Sequence, residues 1–93
     1  MEQKFAAAWA ANRANAETLG VRMRPVAPAD AVRTAKRILS GSRLSDGFSQ
    51  LLAHNALQLS LEALVIDKRY TALFTDEEAN EALSRLLEAG YRF

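Results

Sequence analysis

Apolar residues recur at helical spacing along most of the chain, which predicts an all-α fold. The first helix is predicted over residues 2–19, where Phe5 and Trp9 lie on one face. Gly20 follows at the position of the glycine that commonly ends a helix. Residues 21–27 are predicted to form an extended linker, because the prolines in and just after this segment keep the residues before them out of the helical region.

Two more helices are predicted in the middle of the chain. The second begins at Pro28, which suits a first helical turn, and continues to about Ser40 before Gly41. The third follows a turn at residues 45–47 and continues through 48–59 as the central core helix, because its apolar residues form one stripe. The stripe consists of Phe48, Leu51, Leu52, Ala56 and Leu59.

The last third of the chain carries the clearest capping signals. Ser60 is predicted to cap a short helix that continues to Asp67. The segment from Thr75 to Glu78 matches a capping box, in which the threonine hydroxyl and the glutamate carboxylate each accept a hydrogen bond from the other residue's amide. The final helix is then predicted to end at Gly90.

Together these elements predict a compact orthogonal bundle of four to five short helices, forming a single helical domain over residues 1–93. An apolar fraction of 49% with 25% charged residues is ordinary for a globular protein. The chain has no cysteine, so it has neither a disulfide framework nor a thiolate metal site, and a reducing cytoplasm is expected. No apolar stretch is long enough to span a bilayer, so no membrane partner is expected.

Charge is unevenly distributed along the chain. Eight of the 12 basic residues but three of the 11 acidic ones precede Asp46, so the two halves carry net charges of +5 and −4. Three cations lie on the exposed face of the second helix, and three others lie in the adjoining loops. This predicted basic face consists of Arg22, Arg24, Arg33, Lys36, Arg37 and Arg43. Its cations are either solvated, paired with the chain's own acidic last helix, or open to a nucleic acid or an acidic protein surface.

The sequence offers few candidate residues for catalysis or metal binding. The single histidine, His54, has no ligand partners at helical spacing, and no glycine-rich phosphate loop, nucleophile elbow or HExxH pair is present. We therefore expect neither enzyme activity nor a cofactor. The segment 46–59, where a helix-turn-helix would place its recognition helix, contains no lysine or arginine. Phe5 and Trp9, on an otherwise alanine-rich helix, must bury against either the core or a hydrophobic interface with a second copy.

By elimination, the sequence favours a non-catalytic, cytoplasmic interaction module, a regulator, adaptor or inhibitor, that binds another protein through its helical surface. The alternative is a DNA- or RNA-binding regulator that uses the basic face of the N-terminal half. A homodimer is compatible with both functions, because small helical domains often complete a core by pairing.

Overall fold

A computed structural model describes residues 1–91, and within this range the chain contains five α-helices and no strand. The α-helices are α1 (Glu2–Glu17), α2 (Ala31–Ser40), α3 (Phe48–Ala53), α4 (Leu61–Val65) and α5 (Asp76–Glu88). Single 3₁₀ turns precede α2, α4 and α5, at Pro28–Asp30, Leu57–Leu59 and Thr71–Leu73. The predicted all-α bundle of short helices is confirmed; residues 92 and 93 of the predicted domain lie outside the described range.

Helix α1 lies against the C-terminal half through its aromatic side chains. The Phe5 ring meets Tyr70 and Phe74 edge-on, with ring centroids 5.6 and 5.3 Å apart, and lies 5.9 Å from the Trp9 ring. Phe5 is fully buried and Trp9 is 6% exposed. Both residues therefore belong to the core of one chain. The cluster at residues 70–74 supplies the partners that the alanine-rich helix lacks.

The prediction of one central helix over residues 48–59 is wrong, because α3 ends at Ala53. Asn55 adopts a left-handed conformation with φ of 57°. Its amide donates to the Leu52 carbonyl at 3.0 Å, and the Ala56 amide donates to the Leu51 carbonyl at 2.8 Å. This pair of bonds is a Schellman motif with asparagine where glycine is commoner, and it leaves Leu52 exposed.

The helix starts in the last third agree with the sequence signals. Ser60 caps α4, and its hydroxyl accepts a hydrogen bond from the Ala63 amide. Thr75 and Glu78 make both bonds of the capping box. Helix α4 packs against α5, and α2 packs against both α1 and α5. Within residues 1–91 no helix has the length and apolar character that crossing a membrane would require.

Candidate binding groove

A buried ion pair joins α4 to α5 inside the bundle. Glu62 is fully buried and Arg85 is 6% exposed, and their Oε2 and Nη1 atoms lie 3.1 Å apart. The Glu62 carboxylate also accepts hydrogen bonds from the hydroxyl and the amide of Ser45, at 2.6 and 3.2 Å. Among the described residues, no buried side-chain polar atom lacks a hydrogen-bond partner. The pair is thus fully satisfied, which a buried charge requires.

Arg85 also holds the end of α2. Its Nη2 atom donates to the carbonyls of Ile38 and Gly41, at 3.3 and 2.9 Å. These carbonyls lie where α2 ends, and such groups need partners from outside the helix. Gly41 follows the helix in an extended conformation, so it does not form the left-handed cap that a glycine often provides. The Arg85 side chain, which belongs to α5, caps α2 instead. Through Arg85 and Glu62 the loop 41–45 is fixed at both of its ends.

This loop forms one wall of a groove of about 510 Å³ on the bundle surface. The linker 21–27 forms a second wall, and the outer face of α2 lies between them. The residues that line it come from these three segments and from the core beneath. They are Trp9, Met23, Arg24, Pro25, Val26, Thr34, Arg37, Ile38, Gly41, Ser42, Arg43, Leu44, Ser45, Asp46 and Leu61.

Apolar and cationic side chains together line this groove. Its apolar base consists of side chains that are partly or fully exposed, lying over three that are buried. The accessible ones are Pro25, Val26, Ile38 and Leu44, and the buried ones are Trp9, Met23 and Leu61. Arg37 and Arg43 are exposed side chains that line it from α2 and from the loop. An apolar concavity of several hundred cubic ångströms with a few converging polar groups is the usual form of a ligand site.

The predicted basic face divides into two groups. Arg24, Arg37 and Arg43 line the groove, whereas Arg22, Arg33 and Lys36 do not. Arg33 pairs with Asp30 one turn earlier. Arg22 is exposed on the linker.

Lys36 faces the chain's own acidic helix. Its Nζ atom lies 2.7 Å from the Glu78 carboxylate and 5.4 Å from the centroid of the Phe74 ring. The positive charge of Lys36, in the basic half of the sequence, is therefore compensated within the chain by Glu78 in the acidic half.

The three arginines at the groove differ in their partners. Arg24 contacts Asp46, with the Arg24 backbone amide 3.3 Å and its Nε atom 3.5 Å from the same carboxylate oxygen. Among the described residues, Arg37 and Arg43 have no ion-pair partner. The groove therefore carries two uncompensated positive charges beside an apolar base.

The buried pair was not identified from the sequence. In the sequence, Glu62 is an ordinary acidic residue in the first turn of a capped helix, and Glu81 and Arg85 have the spacing of a surface i,i+4 ion pair. The Glu81 carboxylate does lie 2.7 Å from Arg85, but the Arg85 side chain is buried. One signal was available: Arg85 follows Ala82 by three positions and therefore shares the apolar face of α5. Leu87, an apolar residue two positions further along the helix, is by contrast 57% exposed.

The Lys36–Glu78 pair predicts a pH dependence of stability. Burial raises the pKa of Glu78, but hydrogen bonds from Lys36 and from the Thr75 amide outweigh burial, so this pKa lies below its ordinary value. A carboxylate with a lowered pKa stabilises the fold above its ordinary pKa, about 4.3, and loses this contribution as the pH falls through the lowered value. We expect the urea midpoint to decrease more steeply with acid in the wild type than in Glu78→Gln.

Glutamine is a suitable replacement because it preserves the capping box while removing the charge. Superimposable acid profiles for the two proteins would contradict the prediction.

Searches of protein-family models, of curated protein sequences and of solved structures each found no match for this chain.

Proposed function

We propose that this chain is a non-catalytic interaction module that binds another protein, and that the groove between the linker, α2 and the loop 41–45 is its binding surface. The supporting observation is the combination of an apolar base with two unpaired arginines, Arg37 and Arg43, in one concavity. A regulator, an adaptor and an inhibitor would each need such a surface.

The geometry favours a protein partner over a nucleic acid. A phosphate backbone is bound by many cations along an extended surface. Here Lys36 is paired with Glu78, Arg33 is paired with Asp30, and only three of the six predicted cations line the groove. Among the described residues, one aromatic side chain lines the groove; this residue, Trp9, is 6% exposed and offers little ring surface for stacking on bases.

The proposal is tested by selecting displayed peptides of random sequence against the immobilised protein. We expect the enriched peptides to bind the double variant Arg37→Glu/Arg43→Glu at least about tenfold more weakly, because two charge-assisted contacts are reversed. The measurement is fluorescence anisotropy of the labelled peptides, with circular dichroism to show that the variant remains folded.

The matched control is Arg22→Glu/Arg33→Glu. It changes the net charge equally, with one substitution in the linker and one in α2, but neither residue lines the groove. Peptide affinity should be the same for this control as for the wild type. Equal weakening by both double variants, or the absence of any enriched peptide, would contradict the proposal. Tight, salt-sensitive binding of a duplex or single-stranded oligonucleotide without peptide binding would support the alternative, a nucleic-acid-binding regulator.

A further inference from the structure

The groove already contains one carboxylate, which belongs to the chain itself. Asp46 lies in the loop that leads to α3, and its Oδ2 atom accepts a hydrogen bond from the Arg24 amide and lies 3.5 Å from the Arg24 Nε atom. Both residues line the groove, and the contact joins the linker wall to the loop wall. This side of the groove therefore has the geometry to accept a carboxylate.

The Arg24–Asp46 contact is exposed and open to exchange. The Arg24 side chain is 90% exposed and the Asp46 side chain is 51% exposed. Ion pairs with this exposure contribute little to stability and are screened by salt. A carboxylate from outside could therefore displace Asp46 from Arg24 without disturbing the core.

Arg37 and Arg43 can also bind a carboxylate. Arg37 and Arg43 have no ion-pair partner among the described residues, and each can bind a carboxylate through two parallel hydrogen bonds. The apolar base beside them, where Val26, Ile38 and Leu44 are accessible, suits a large apolar side chain. The groove thus complements a segment in which acidic residues flank one bulky apolar residue.

From these contacts, and resting on the proposed function, we infer that the partner presents an acidic peptide segment with a bulky apolar anchor, and that Asp46 occupies Arg24 as an internal competitor of that segment's carboxylates. The anchor packs against Val26, Ile38 and Leu44, and the flanking carboxylates pair with Arg37 and Arg43. Binding releases Arg24 from Asp46 for a further carboxylate contact.

The test compares the peptides enriched by selection with their own charge variants. We expect the enriched peptides to contain more aspartate and glutamate than the starting library, together with an aromatic residue or leucine. Changing their acidic residues to the corresponding amides should weaken binding by about tenfold or more, since charge-assisted bonds are lost. Changing the apolar anchor to alanine should weaken binding to a similar degree.

Asp46→Asn tests the competition directly. Asparagine keeps an oxygen that can accept the Arg24 amide hydrogen bond, so the two walls stay joined while the negative charge is removed. We expect this variant to bind the acidic peptides about two- to fivefold more tightly than the wild type, a gain within the range of one exposed ion pair. The amide versions of the peptides should bind both proteins equally. Asp67→Asn, which alters an exposed pair with Arg69 outside the groove, is the control and should change nothing.

The outcomes separate this inference from the proposed function. If peptides bind in a groove-dependent manner but are neutral, or if their amide versions bind as tightly, the acidic ligand is wrong while the module still binds proteins. If Asp46→Asn weakens the binding of acidic peptides, the competition is wrong. If no peptide depends on Arg37 and Arg43, the inference and the proposed function fail together.

Discussion

Replacing Arg85 with methionine is expected to lower the free energy of unfolding by about 3–5 kcal/mol, the usual cost of leaving one partner of a buried ion pair alone. Methionine has similar length but cannot donate to Glu62, to the carbonyls of Ile38 and Gly41, or to Glu81. The fully buried carboxylate would then keep only its bonds from Ser45.

Urea denaturation followed by far-ultraviolet circular dichroism measures this loss, and thermal unfolding serves if the variant is too unstable for extrapolation. The control is Arg33→Met, whose side chain is 80% exposed and whose replacement should change stability by no more than about 0.5 kcal/mol. Adding Glu62→Leu to Arg85→Met should recover part of the loss, because the unpaired charge is removed. The recovery is only partial, since the Ser45 amide loses its acceptor and the Gly41 carbonyl still lacks the Arg85 donor. A loss of less than about 1 kcal/mol for Arg85→Met would mean that the pair is solvated in solution.

Replacing Phe5 with alanine is expected to cost about 3–5 kcal/mol, because truncating a buried ring removes its transfer free energy and leaves a cavity. The ring is fully buried and touches three other aromatic rings, so its neighbours cannot all move in to fill the space. Urea denaturation measures the free energy of unfolding of Phe5→Ala and of Phe5→Leu. We expect Phe5→Leu to be the more stable of the two variants, because leucine fills more of the cavity.

Leu87→Ala is the control for this series, since that side chain is 57% exposed. It should change stability by no more than about 0.5 kcal/mol. A Phe5→Ala protein as stable as the wild type but altered in sedimentation would contradict the core position and restore the interface between two copies.

Local signals predicted the helix ends well. The Thr75 capping box, the Ser60 cap and the glycines that follow α1 and α5 all act through bonds within a few residues, so the sequence alone contains them. Asn55 also acts locally, but asparagine adopts a left-handed conformation less often than glycine, and the apolar stripe continues past it. The pattern therefore predicted one long helix where the chain forms a short helix and a turn.

The groove could not be predicted in the same way. Its lining residues come from a helix, a linker and a loop. Arg85 fixes the end of the helix and the start of the loop through bonds over 44 and 47 residues, and the linker contacts the loop through Arg24 and Asp46, 22 residues apart. Periodicity shows which face of a helix is apolar, but not which charged side chain from a distant part of the sequence will bind its end. The sequence identified Arg24, Arg37 and Arg43 as candidates, and the tertiary contacts separated them from Lys36, whose partner is Glu78.

The dependence of the loop 41–45 on Arg85 has a consequence for synthesis. Every residue that lines the groove precedes α4 or lies at its first position, but the side chain that holds its wall belongs to α5. On the ribosome, the groove residues leave the exit tunnel before Arg85 does, at a stage when the bonds from Arg85 to the end of α2 cannot yet form. The proposed binding groove is therefore complete only once α5 has docked.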